Sequence, residues 1–204
     1  MNFSLLKTKL FIPQIKRGLV PRKRLIEQLN SGFLGESGFS RKITLVSAPA
    51  GYGKTILVRQ WAQKFLPRVA WLALDDDDNQ PVFFLQCLIA AIRTVENDAC
   101  GGTGEFINSN SVLPGELREI GREALIHFAN DLLEIKKPLL IVLDDYHNIF
   151  NKDVHLLLAA IIENLPPSTH IVVTTRTDPP WPLHRWRVKR ELMELRQRGL
   201  GQIW

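Results

Sequence analysis

Ile43-Thr44-Leu45-Val46-Ser47-Ala48-Pro49-Ala50-Gly51-Tyr52-Gly53-Lys54-Thr55 is the stretch that decides the fold. Its opening residues, Ile43 to Ser47, are mostly apolar or β-branched and read as a buried strand. From Thr55 to Phe65 the pattern turns helical. The segment from Ala48 to Thr55 therefore joins a strand to a helix. Gly51 and Gly53 can take backbone angles that turn successive N–H groups inward, into an anion-binding nest. A helix starting near Lys54 adds the positive end of its dipole. This is the setting of a phosphate-binding loop, with Lys54 reaching the β- and γ-phosphates of a nucleotide and the Thr55 hydroxyl meeting Mg²⁺. The candidate cradle comprises Ala48, Pro49, Ala50, Gly51, Tyr52, Gly53, Lys54, Thr55 and Ile56. Ala48 stands where the pattern usually has its first glycine; alanine suffices if that residue needs no positive φ.

Outward from this loop, short apolar runs alternate with helical stretches. Val69 to Leu74, Leu139 to Leu143 and His170 to Thr174 read as further strands, and Glu191 to Leu195 is a candidate fifth. Pro81 to Val95, Glu116 to Lys136 and Val154 to Leu165 read as helices, with Asn79 a candidate cap for the first. Asn97 to Pro114 is polar and glycine-rich and reads as a loop. Strands apolar on both faces, separated by helices, predict right-handed crossovers. The expected fold is α/β: a P-loop NTPase three-layer sandwich with a mostly parallel five-stranded sheet. The expected organisation is a basic arm and linker helix over residues 1–40, the nucleotide-binding domain over 41–198 and a short tail over 199–204. Ligands of such sheets bind at the carboxyl ends of the strands, so chemistry is expected just after Ser47, Leu143 and Thr174.

The polar motifs fall at those points. Asp144 and Asp145 follow the Leu139 to Leu143 run. Carboxylates at the end of a buried strand are costly unless they meet a cation or donors. This looks like a Walker B element, in which Asp144 holds Mg²⁺ through water and Asp145 polarises the attacking water. Aspartate is shorter than the glutamate that many fast ATPases use there, which predicts slow turnover or mainly a switch. Arg176, after Thr174 and Thr175, is placed to reach the γ-phosphate and distinguish ATP from ADP, the alternative being a surface salt bridge. Ahead of the first strand, Leu19-Val20-Pro21-Arg22-Lys23-Arg24-Leu25 is a segment that can wrap the base or phosphates of a nucleotide, with Arg22 the candidate contact, the alternative being a basic amphipathic linker. The catalytic candidates are thus Asp145, Lys54 and Arg176; Thr55 and Asp144 are the metal candidates.

Composition excludes several other classes. At 204 residues, with 45% hydrophobic and 23% charged residues, the chain is ordinary for a globular protein. Cys87 and Cys100 form no CxxC pair, which argues against zinc or thiol redox chemistry and fits a reducing cytoplasm. No apolar run approaches the roughly 18 residues needed to cross a bilayer. The five histidines give no metal-ligand spacing on one helix, and neither Ser47 nor Ser168 lies in a G-x-S-x-G setting. The net charge of +5 is uneven: Lys7 to Arg24 and Arg185 to Arg198 are basic, whereas Asp75 to Asp78 form an acidic run. Such basic ends can touch nucleic acid or phosphate, solvated surface being the plainer expectation.

Taken together, these motifs resemble the nucleotide-binding domain of the MalT-like STAND ATPases, the large ATP-binding regulators of the LuxR type. The matching stretches run in the family's order. They are Thr8 to Pro13, Gly18 to Arg22, Leu45 to Thr55, Ala70 to Leu74, Asp78-Asn79, Leu143 to His147, Thr174 to Pro180 and Leu192 to Arg196. The resemblance implies a cytoplasmic switch for transcription regulation. ATP with Mg²⁺ favours an open, self-associating form and ADP a closed one. Weak ATP hydrolysis is implied, and DNA contact only through regions absent from this chain. The family's winged-helix element, sensor and helix-turn-helix are not found in it, so a fragment, a truncated frame or a degenerate copy is expected. A second reading, a non-enzymatic interaction fragment that no longer uses nucleotide, stays open. A small-molecule kinase is disfavoured, because the Asn97 to Pro114 stretch lacks arginines for an acceptor phosphate.

Overall fold

In the computed structural model, residues 6–14, 18, 22–34, 37–109 and 117–196 are described. The expectations for Leu19 to Pro21, for residues 110–116 and for the tail beyond Arg196 lie outside them. Five strands form one sheet: β1 (Ile43–Ser47), β2 (Val69–Ala73), β3 (Leu139–Asp144), β4 (Thr169–Thr175) and β5 (Leu192–Arg196). Their order is β2-β3-β4-β1-β5, and every neighbouring pair is parallel. Among the described residues, helix α1 (Lys23–Asn30) precedes the first strand, and helices α2 (Lys54–Ala62), α3 (Pro81–Arg93), α4 (Gly101–Ser109), α5 (Leu117–Leu133), α6 (Lys152–Glu163) and α7 (Leu183–Val188) lie between the strands. None among the described residues is long and apolar enough to cross a membrane.

The alternation of side chains along each strand divides the interior into two cores. Ile43, Leu45, Ile141, Leu143, Ile171 and Val173 face one layer, with Phe84 and Leu88 of α3, Phe128 of α5 and Leu158 of α6. Val46, Leu140, Val142 and Val172 face the other, with Leu25 and Leu29 of α1 and Leu57 and Trp61 of α2. Every residue of β1, β3 and β4 is buried, as the near-continuous apolar runs require.

Two local expectations are corrected. The stretch from Asn97 is not all loop: α4 occupies Gly101–Ser109. Its composition argues against a helix, and tertiary contacts supply what the sequence lacks. Arg93 of α3 donates to Ala99 O and Cys100 O, and Asp131 of α5 accepts from Thr103 N at 2.8 Å, capping the helix from outside. A Cβ on Gly104 would lie 2.9 Å from the Arg93 guanidinium, so glycine permits the close approach. Asn79 is not the cap of α3, where Gln80 holds that place without a side-chain bond. The Asn79 amide points elsewhere, as described below.

One of the polar groups buried inside the sheet is an imidazole. His170 is buried against Phe39, its Nδ1 2.8 Å from Arg41 O and its Nε2 2.9 Å from Thr44 Oγ1. A carbonyl only accepts, so Nδ1 carries the proton and Nε2 accepts from Thr44. Burial lowers the His170 pKa to about 4. Between that value and the ordinary ~6.5, the unfolded chain binds a proton that the folded chain refuses, so stability falls as pH drops. The expected loss is about 2 kcal/mol on going from pH 7 to pH 5, read by urea unfolding. His170→Gln should flatten this dependence; an equal slope in both proteins would remove His170 as its cause.

Candidate nucleotide-binding site

The parallel register brings the strand exits level: Ser47 lies beside Thr175, and Ala73 beside Asp144. The loop after β1 turns through Gly51, at φ 82°, and Gly53, at φ 66°, and then enters α2. Gly51 has open space where a Cβ would project. The first turn of α2 has no side-chain cap, so its orphan N–H groups lack a side-chain acceptor. Ala48 is not among the positive-φ residues; it is buried and extends the ladder by donating its N–H to Thr175 O. The missing glycine therefore costs the loop nothing at that position.

Lys54 is buried and folds back over the loop, donating from Nζ to Ala48 O at 2.8 Å and Pro49 O at 3.0 Å. Thr55 donates to Asp144 Oδ1 at 2.9 Å, which joins the loop directly to the end of β3. Thr174 at the end of β4 donates to the same Oδ1 at 2.5 Å and accepts from Asp145 N at 3.0 Å. Burial pushes the Asp144 pKa up and the charge of Asp145 adds to it, while the two hydroxyl donors pull it down. A nearby dication would favour the charged form.

Asp145 adopts the left-handed region, φ 59° and ψ 40°, and its side chain is half exposed. Arg176 is exposed, and no carboxylate pairs with it among the described residues, so the salt-bridge alternative is not seen. Burial lowers the Lys54 pKa; the charges of Asp145 and Asp144 oppose this, and that of Arg176 reinforces it. These groups, from three different loops, thus share one electrostatic neighbourhood. Arg22 closes the loop from the other side, donating to Tyr52 O at 3.0 Å.

The structure also adds His147, which the sequence reading did not place in the site. Its Nδ1 lies 3.7 Å from Asp145 Oδ1, buried and without a hydrogen-bond partner. Burial and the charge of Arg176 lower its pKa. The basic ends are less free than their composition implies. Lys9 is buried between Asp75 and Asp78. Arg187 and Arg196 converge on Glu194, whose pKa they hold down at about 2, and Arg196 also pairs with Asp178. No cluster of three or more potential metal ligands drawn from His, Cys, Asp and Glu occurs among the described residues. A hydroxyl–carboxylate pair such as Thr55 and Asp144 instead suits a magnesium ion that keeps several waters.

A parallel α/β sheet with a glycine loop after β1 bonded to an aspartate at the end of β3, two strands away, defines a P-loop ATPase-type domain. The chain belongs to the AAA ATPase domain family, whose model matches residues 18–174. It is similar to the HTH-type transcriptional regulator MalT of Yersinia enterocolitica, with 32% identity over 98% of this chain. The regulator of the same name from Cronobacter sakazakii is also 32% identical, over 97% of the chain. In both cases the chain spans about 20% of the relative's length. Among solved structures, Cdc6p from Pyrobaculum aerophilum shares the fold, with a TM-score of 0.56 at 16% identity over 93% of this chain and 49% of that one.

Proposed function

We propose that this domain binds ATP with Mg²⁺ and acts as a nucleotide-dependent switch with slow ATP hydrolysis, as part of a MalT-like regulator. The observation that carries the reading is the bond from Thr55 to Asp144, which unites the phosphate-loop end of α2 with the carboxylate at the end of β3. The N–H groups from Gly51 to Ile56 would hold the phosphates, with Lys54 turning its ammonium from the loop carbonyls toward them. Thr55 and Asp144 would hold the metal, which when bound neutralises phosphate charge. Asp145 would orient a water and accept its proton, and Arg176 would report the γ-phosphate. Arg22, which donates to Tyr52 O, would fix the loop and meet the base or phosphates. An aspartate in the Asp145 position, shorter than glutamate, supports slow turnover. Self-association in the ATP state is part of the proposal.

Mg-ATP should raise the melting temperature. At about a hundred times the dissociation constant a ligand adds about 2.7 kcal/mol, which is about 5–10 °C for a domain of this size. Differential scanning fluorimetry with Mg-ATP, Mg-ADP and ATP in EDTA checks this. No shift at millimolar Mg-ATP would favour the non-enzymatic interaction reading instead.

A further inference from the structure

Asn79 is buried in the turn that follows β2, and all four of its side-chain hydrogen-bond positions are filled. Its Oδ1 accepts from Phe150 N at 2.7 Å and Asn151 N at 2.9 Å. Its Nδ2 donates to Asn148 O at 2.9 Å and Asp76 O at 3.0 Å. Three of these four partners belong to one segment, the connection from β3 to α6 that begins with Asp145. Asn148 returns the contact, donating from its own Nδ2 to Leu74 O at 2.8 Å. The exits of two adjacent strands are thereby sewn together through side-chain amides.

The segment so held contains a left-handed aspartate. Non-glycine residues keep that conformation only where the surroundings over-determine it. Here Asp145 N is bound by Thr174, and Asp145 O accepts from Asn148 N at 3.1 Å. The carbonyl of the same Asn148 is bound by Asn79. From this geometry we infer that Asn79 is a positioning residue for Asp145: it clamps Asn148, Phe150 and Asn151 so that the turn presents the Asp145 carboxylate toward the phosphate loop. The consequence for turnover rests on the nucleotide reading above; the clamp itself does not.

Amide hydrogen exchange on the full chain without nucleotide is the first test. In Asn79→Leu, protection should fall by about tenfold or more at Phe150, Asn151 and also Asp145, although none of the four Asn79 side-chain hydrogen bonds goes to Asp145. Unchanged protection at Asp145 overturns the inference. If the leucine variant does not fold, Asn79→Asp, which keeps the acceptor for Phe150 N and Asn151 N and loses the donors to Asn148 O and Asp76 O, should still lower protection at Asp145 by about tenfold, and no change there overturns the inference. Phe150 and Asn151 amides that exchange freely in the parent overturn the clamp with no variant at all. With Mg-ATP, Asn79→Leu should lose about tenfold or more in turnover while its affinity for a fluorescent ATP analogue stays within about twofold. That loss should vanish in an Asp145→Asn background; an equal loss there would mean that Asn79 does not act through Asp145. A parent that neither binds nor hydrolyses ATP would sink the nucleotide reading, while exchange still decides the clamp.

Discussion

Lys54→Ala is expected to weaken binding of a fluorescent ATP analogue by about 100-fold or more, the loss of two charge-assisted hydrogen bonds at ~1.5 kcal/mol each. The folded protein should tolerate the change. Lys54 contributes to the loop only through Ala48 O and Pro49 O, and it does so while partly desolvated, with its pKa lowered by burial. Loss of affinity without loss of melting temperature is therefore the signature. Equilibrium titration of parent and variant, beside thermal melts of both, checks it. Equal affinities would show that the anion is held elsewhere, and the site assignment built around Gly51 and Gly53 would fall with them.

Lys9→Ala should destabilise the fold by about 3–5 kcal/mol, as breaking a buried ion pair does. The Lys9 ammonium donates to Asp75 Oδ1 at 2.8 Å and Asp78 Oδ2 at 2.5 Å, and the Asp78 side chain is fully buried. Burial works against the Lys9 charge, but its hydrogen bonds to the two aspartates outweigh this and raise its pKa. Burial likewise pushes the Asp78 carboxyl up, against the pull of Lys9. Without Lys9 that carboxylate has no countercharge and must protonate or draw in water. The arm that carries Lys9 is further fixed where Arg59 of α2 donates to Pro13 O. Denaturant unfolding of Lys9→Ala measures the cost. A change below about 1 kcal/mol in the single variant would mean that the arm is not anchored by this pair.

The phosphate loop, the strand ends and the pair Asp144–Asp145 were legible in the sequence because each depends on local rules. A β-branched run makes a strand, glycines allow the loop, and carboxylates after a buried strand demand a cation or donors. The alanine at position 48 was left conditional on the sign of its φ, which only the structure supplied. The helix at Gly101–Ser109 was not legible, because its cap and its anchor come from Asp131 and Arg93 on other helices. Lys9 was not legible either: a lysine in a basic stretch looks solvated until the fold sets two aspartates, more than sixty residues away, around it.

By itself, then, the chain's order of residues determined the alternating α/β architecture, the glycine loop after β1 and the acidic strand exit, all of them products of short-range periodicity and backbone preference. Only the tertiary structure decided the strand order β2-β3-β4-β1-β5, the bond from Thr55 to Asp144, the burial of Lys9 and the redirection of Asn79 from a helix end to the Asp145 turn. The physical reason is that a buried polar group must find its partners wherever the packing puts them. Those partners lie on segments distant in sequence, and no local pattern encodes the pairing.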